Sequence, residues 1–134
     1  MWTLKWDSTN KLVTSCYNEV ILKINELNQE YKSKQPIIVE IVSDTQKSLT
    51  IGVGTIEGLS CLTFFPSPDG LGSMSLILSE EQALNYGESI IFWLDSYDSE
   101  WEIERLVTYE MAINEVSYFL RNDDVNANLN WELD

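Results

Sequence analysis

Hydrophobic and polar positions along this chain change period several times, and each change marks an element. Trp2, Leu4 and Trp6 alternate with polar residues, which fits a short strand or a docked N-terminal arm. From Thr14 to Lys34 the period becomes helical. Tyr17, Val20, Ile21, Ile24, Leu27 and Tyr31 recur at spacings of three and four, and Glu19, Lys23, Glu26 and Glu30 line the other side. Thr14 or Ser15 is the expected N-cap, and Pro36 ends the segment. The period then falls to two. Ile37–Val42, Leu49–Val53, Leu59–Phe65, Met74–Leu78, Ser89–Leu94 and Glu100–Glu104 read as strands, with turn chemistry between them. Ser79–Gly87 reads as a turn or a small helix. Thr108 caps a second helix whose buried face is Tyr109, Ala112, Ile113, Val116, Phe119 and Leu120. A polar loop over 121–128 leads to a last strand around Trp131. The expected fold is α+β: one domain over 1–134, with a mostly antiparallel sheet of about six to seven strands and two main helices packed on it.

Charge changes the picture more than composition does. The chain has 134 residues, 44% of them hydrophobic, so it can bury a core of its own. Its formal net charge is −14, from 22 acids against 8 bases, and it contains no His. A phosphate backbone would be repelled, which argues against nucleic acid as a direct partner. Without His the commonest general base and the usual zinc ligand are missing. Residues 1–67 carry six Lys against seven acids, whereas residues 68–134 carry only Arg105 and Arg121 against fifteen acids. The acidity therefore belongs to whatever surface the second half presents.

Several candidate sites compete with structural readings of the same residues. Gly52, Gly54 and Gly58 lack the spacing and the following helix of a phosphate loop, and read as strand-end and turn glycines. Asp44-Thr45-Gln46 departs from the Asp-Thr-Gly of aspartic proteases and reads as a turn. Asp95, Asp98, Glu100 and Glu102 lack calcium-loop spacing, and the sequence gives no metal or cofactor site. Two of these acids would serve a glycosidase-type mechanism only if a cleft held them with separated pKa values. Cys16 and Cys61 read as reduced core residues. The opening MWTLKWDSTNK has no apolar core behind a basic region, so no secretion signal is expected. No apolar run approaches the length of a membrane helix, and the expected location is cytoplasmic.

The clearest signal is Asp98-Ser99-Glu100-Trp101-Glu102-Ile103-Glu104. A period of two places Glu100, Glu102 and Glu104 on one side, with Trp101 and Ile103 on the other. From Glu80 to Glu104 there are eight acids and no base. An anionic face of this kind suits a strongly basic protein partner. Its expected members are Glu80, Glu81, Asp95, Tyr97, Asp98, Glu100, Glu102 and Glu104.

Val107-Thr108-Tyr109-Glu110-Met111-Ala112, Ser117-Tyr118-Phe119-Leu120 and Leu129-Asn130-Trp131 together resemble the C-terminal third of an immunity-protein family. This is the family of bacterial polymorphic-toxin and contact-dependent inhibition systems that has an α+β fold and a tryptophan on its final strand. Leu49-Thr50-Ile51-Gly52-Val53-Gly54 and Leu62-Thr63-Phe64-Phe65 resemble its paired central strands, so the likeness covers about residues 37–134. Loop 121–128 lacks the Gly and Pro that many relatives have there. The resemblance implies a non-enzymatic neutraliser of a co-encoded toxin domain, often a nucleic-acid deaminase and sometimes a nuclease. It implies no small-molecule substrate. Trp131, Phe119, Gly52 and Gly54 are then residues of the fold, with Trp131 plugging the core. The rival readings are a small carboxylate-based hydrolase acting through Asp95–Glu104 and an acidic intracellular adaptor.

Overall fold

The computed structural model describes residues 1–7, 9–77 and 88–134. The chain opens with a hairpin of β1 (Trp2–Lys5) and β2 (Lys11–Thr14), registered from Trp2 against Thr14 to Lys5 against Lys11. Helix α1 (Tyr17–Tyr31) follows. Strands β3 (Ile37–Ser43), β4 (Ser48–Val53), β5 (Leu59–Ser60), β6 (Leu62–Phe65) and β7 (Met74–Leu76) come next. After them come β8 (Ser89–Leu94), β9 (Tyr97–Glu102), a 3-10 turn (Ile103–Arg105) and β10 (Val107–Thr108). Helix α2 (Tyr109–Asn122) and β11 (Trp131–Leu133) close the fold.

The α+β class holds. The strands run β11-β7-β6-β4-β3-β1-β2, with antiparallel neighbours throughout, and β8 joins β3 in parallel through the single pair Ile37 and Trp93. β9 pairs antiparallel with β8, making a nine-stranded sheet, while β10 and β5 form a separate two-stranded ribbon. Six to seven strands were expected; the N-terminal hairpin brings the sheet to nine, and a break in one expected strand supplies the separate ribbon. The opening alternation is one arm of a hairpin, with β2 as the other. The run Leu59–Phe65 breaks at Cys61, so β5 leaves for β10 and only β6 stays beside β4.

Alternation along β3 sorts the core into two. Ile37, Val39 and Ile41 face the helices and meet Val20, Ile24 and Leu27 of α1 and Val116 and Phe119 of α2. The Phe64 and Phe119 rings meet edge-on with centroids 6.1 Å apart. Ile38 points the other way, into a smaller cluster with Cys61, Ile90, Phe92 and Leu106. Strands β8 and β9 therefore fold onto the back of the sheet, forming a third layer at one end. Gly52, the register partner of Ile38, leaves the seat. A Cβ at position 52 would overlap the Phe92 ring and lie 2.6 Å from Cys61 Sγ. The ring itself is fully buried, which contributes roughly 1.5–3 kcal/mol.

Local chemistry fixes the helix ends. Thr108 caps α2 by accepting the Met111 N–H at 3.2 Å, and Asp123 ends it in the left-handed region, its own N–H donating to Phe119 O at 2.8 Å. Lys47 Nζ donates to the Asp123 carbonyl at 3.1 Å, which ties this end to the turn between β3 and β4. Neither Thr14 nor Ser15 caps α1. Thr14 belongs to β2, and Cys16 occupies the N-cap without a side-chain bond. Cys16 is consequently exposed and not a core residue, whereas Cys61 is buried, which pushes its thiol up to about 12. At its other end α1 is pinned through Asn28, whose Oδ1 accepts the Gly54 N–H at 2.9 Å. Gly54 has φ of 89°, and a Cβ there would lie 2.6 Å from Tyr31 Cβ. Trp131 is half-buried against the main core from edge strand β11, its indole N–H donating to Asn126 O at 3.0 Å. Among the described residues, no helix is long and apolar enough to cross a membrane.

Glu115 is a buried acid that the periodicity of α2 does not reveal. It is 4% exposed, and burial raises its pKa above the ordinary 4.5, partly offset by the Asn126 N–H at 3.4 Å.

Two outcomes are expected. Gly52→Ala should cost about 1–3 kcal/mol by displacing the Phe92 ring. That cost, measured by urea denaturation, should shrink in a Phe92→Leu background; an unchanged cost would mean that the ring is not what the methyl meets. Burial raises the pKa of Glu115 on folding, so its contribution to stability should fall as pH rises from about 4.5 through its higher folded pKa. Glu115→Gln should therefore gain on the wild type across that window and keep its advantage at neutral pH. A melting-temperature difference independent of pH would contradict this.

Candidate functional site

The outer hairpin owes its form to a two-residue turn. Leu94 opposes Tyr97 across Asp95 and Ser96, and Asp95 adopts φ of 55°, a region that Asp tolerates better than most residues. From there the register runs Trp93 with Asp98, Ile91 with Glu100, and Ser89 with Glu102. Paired residues share a face, so Asp98, Glu100 and Glu102 stand beside Trp93, Ile91 and Ser89 on one side of the hairpin. Ile90 and Phe92, on the opposite face, hold the hairpin to the sheet.

The structure brings together three of the expected residues and separates the others. Asp98, Glu100 and Glu102 are all exposed and lie in line along β9. Ser89 Oγ donates to Glu100 Oε2 at 2.9 Å, which orients that carboxylate along the surface. Ile91, 39% exposed, sits between the two outer acids as an apolar contact point. Glu104 is not on this face. The strand ends at Glu102, and the 3-10 turn, closed by the Leu106 N–H on Ile103 O at 3.0 Å, rotates Glu104 away. There it is half-buried, and its Oε2 has no hydrogen-bond partner among the described residues. Asp95 lies in the turn, at the tip of the array. Tyr97 is on the opposite parity from the acids, yet it is 76% exposed because the tip projects past the core. Glu80 and Glu81 lie outside the described residues.

A shallow groove of about 450 Å³ runs along β9, lined by Ser99, Glu100, Trp101, Glu102, Arg105 and Asp134. Trp101 forms its apolar wall, held by packing against the rear cluster and by its indole N–H on Ser99 Oγ at 3.0 Å. Arg105 is the cation at this groove, and Glu132 Oε1 accepts from its Nη1 at 3.0 Å, so its charge is already compensated. The carboxylic acid that burial pushes up, Glu115, is not among the lining residues. Among the described residues, no group of three or more Cys, Asp or Glu is placed to hold a metal ion.

Sequence reasoning missed Ile91 and Trp93 as members of this face. Their run, Ser89–Leu94, reads as continuously apolar, and only the cross-strand register reveals which half points outward. It also missed Arg105, whose pairing with Glu132 across 27 residues leaves no local signal. No protein-family model matches the chain, and no curated protein matches it either.

Proposed function

We propose that this chain is a cytoplasmic immunity protein that binds and blocks a basic, nucleic-acid-targeting toxin domain without turnover of its own. One observation carries the reading: Asp98, Glu100 and Glu102 form an exposed row on a projecting hairpin, in a stretch without a single cation between Glu80 and Glu104. Same-face carboxylates two residues apart repel one another, so the row costs the fold a little stability. A toxin built to grip phosphates presents a cationic groove, and an acidic row answers it by steering and by local pairing. The apolar contacts within the row, Ile91 and Trp93, give a partner something to desolvate against. The resemblance of the central strands and the C-terminal third to the immunity family supports the same assignment.

The test is charge reversal against a matched control. Glu100→Lys with Glu102→Lys should weaken binding to the co-encoded toxin domain by several kcal/mol and move the melting temperature little. Glu26→Lys with Glu30→Lys makes the same change in net charge on α1. It also breaks the exposed pairs to Lys23 and Lys34, worth about 0.3–0.5 kcal/mol each, and should leave binding nearly intact. Equal loss in both pairs would reduce the effect to net charge, and no loss in either would place the partner elsewhere.

A further inference from the structure

The turn fixes which way the backbone of β9 faces. In a two-residue hairpin the residues flanking the turn exchange both backbone bonds, and the pairs alternate from there. With Leu94 and Tyr97 as that first pair, Tyr97, Ser99 and Trp101 direct their amides and carbonyls inward to β8. Asp98, Glu100 and Glu102 direct theirs outward. Two further bonds agree with this phase: Ile103 N–H donates across the hairpin to Glu88 O, and Trp93 N–H donates away from it to Pro36 O, both at 2.9 Å. Among the described residues β9 pairs with β8 and with no other strand.

Among the described residues the hairpin thus has an open edge with three backbone rungs, each on a residue that also carries a carboxylate. An open edge is a template for another strand. Acidic side chains on every rung residue decide which strand. A second copy of this chain would bring like charges together at each position, which is unfavourable, whereas a strand with Lys or Arg at alternate positions meets an opposite charge at each. The groove beside the edge adds the Trp101 wall for the aliphatic stems of such residues, and Arg105 does not oppose them because Glu132 holds it.

We propose that the open edge of β9 receives an extended basic segment of the partner as an added strand, bonded to the outward amides and carbonyls of Asp98, Glu100 and Glu102. The proposal rests on the reading of this face as the toxin-binding surface, and adds to it the mode of docking.

The probe is an end-blocked decapeptide of alternating Lys and Val, compared with the same peptide N-methylated at the backbone amides of its central residues, which keeps every charge and removes the N–H donors on both sides. Binding of the first should slow hydrogen exchange at the Asp98, Glu100 and Glu102 amides at least tenfold. The amides of Tyr97, Ser99 and Trp101, already bonded, should change little. The N-methylated peptide should bind at least tenfold more weakly. Glu100→Pro, tolerated because its outward N–H is bonded to nothing among the described residues, should lose at least tenfold more affinity than Glu100→Gln, which removes the charge and keeps the amide. Equal binding of both peptides without protection of those amides, or no binding of either, overturns strand addition. Failure here, with the toxin still lost on reversing Glu100 and Glu102, removes only the docking mode. A toxin indifferent to that reversal removes the neutralisation reading, whatever the peptides do.

Discussion

The ring of Phe92 lies where a side chain at position 52 would be, and that contact holds the β8–β9 hairpin on the back of the sheet. Helices α1 and α2 cover the other side and bury most of the core, so the fold does not need the hairpin in order to be a sheet with a helical layer. What the hairpin adds is a projecting surface. Its inner face is consumed by Ile90, Phe92 and Trp101, and among the described residues its outer edge pairs with no strand. Gly52 gives up a side chain so that these two roles can be divided between the faces of one ribbon.

Charge follows the same division. The acids of β9 stand on the layer farthest from the helices, where water screens their repulsion and the core does not have to solvate them. Glu115 shows the opposite case, an acid taken inside α2 with one weak N–H contact and a raised pKa in consequence. The cost of the β9 row is small because it is exposed. Its value to a partner is large for the same reason, since exposed charge acts at a distance before contact is made.

The class of the fold was legible from periodicity, because both amphipathic helices and the β-branched runs bury the side they advertise. Boundaries were less so. Cys61 looks like the middle of one strand, and only the competing partners β10 and β4 show that the chain divides there. Glu104 continues the alternation of β9 on paper but not in space, because the 3-10 turn at Ile103–Arg105 changes the period at the last step. Stopping two residues early, at Glu102, moves the Glu104 side chain to another surface. Asp98, two residues before Glu100, takes the third place in the row that the alternation assigns to Glu104. Cross-strand members such as Ile91 and Trp93 need the register, which a single run of residues does not contain.

The most direct measurement is the salt dependence of the association rate between the purified chain and the basic toxin domain, for the wild type and for the Glu100→Lys, Glu102→Lys variant. Steering through a local acidic row is screened at a Debye length of about 8 Å at physiological ionic strength. The wild-type rate should therefore fall steeply with added salt, by about tenfold or more from low to physiological salt, and the variant should start slower with a much flatter dependence. Parallel slopes for the two proteins would contradict a local binding face on β9.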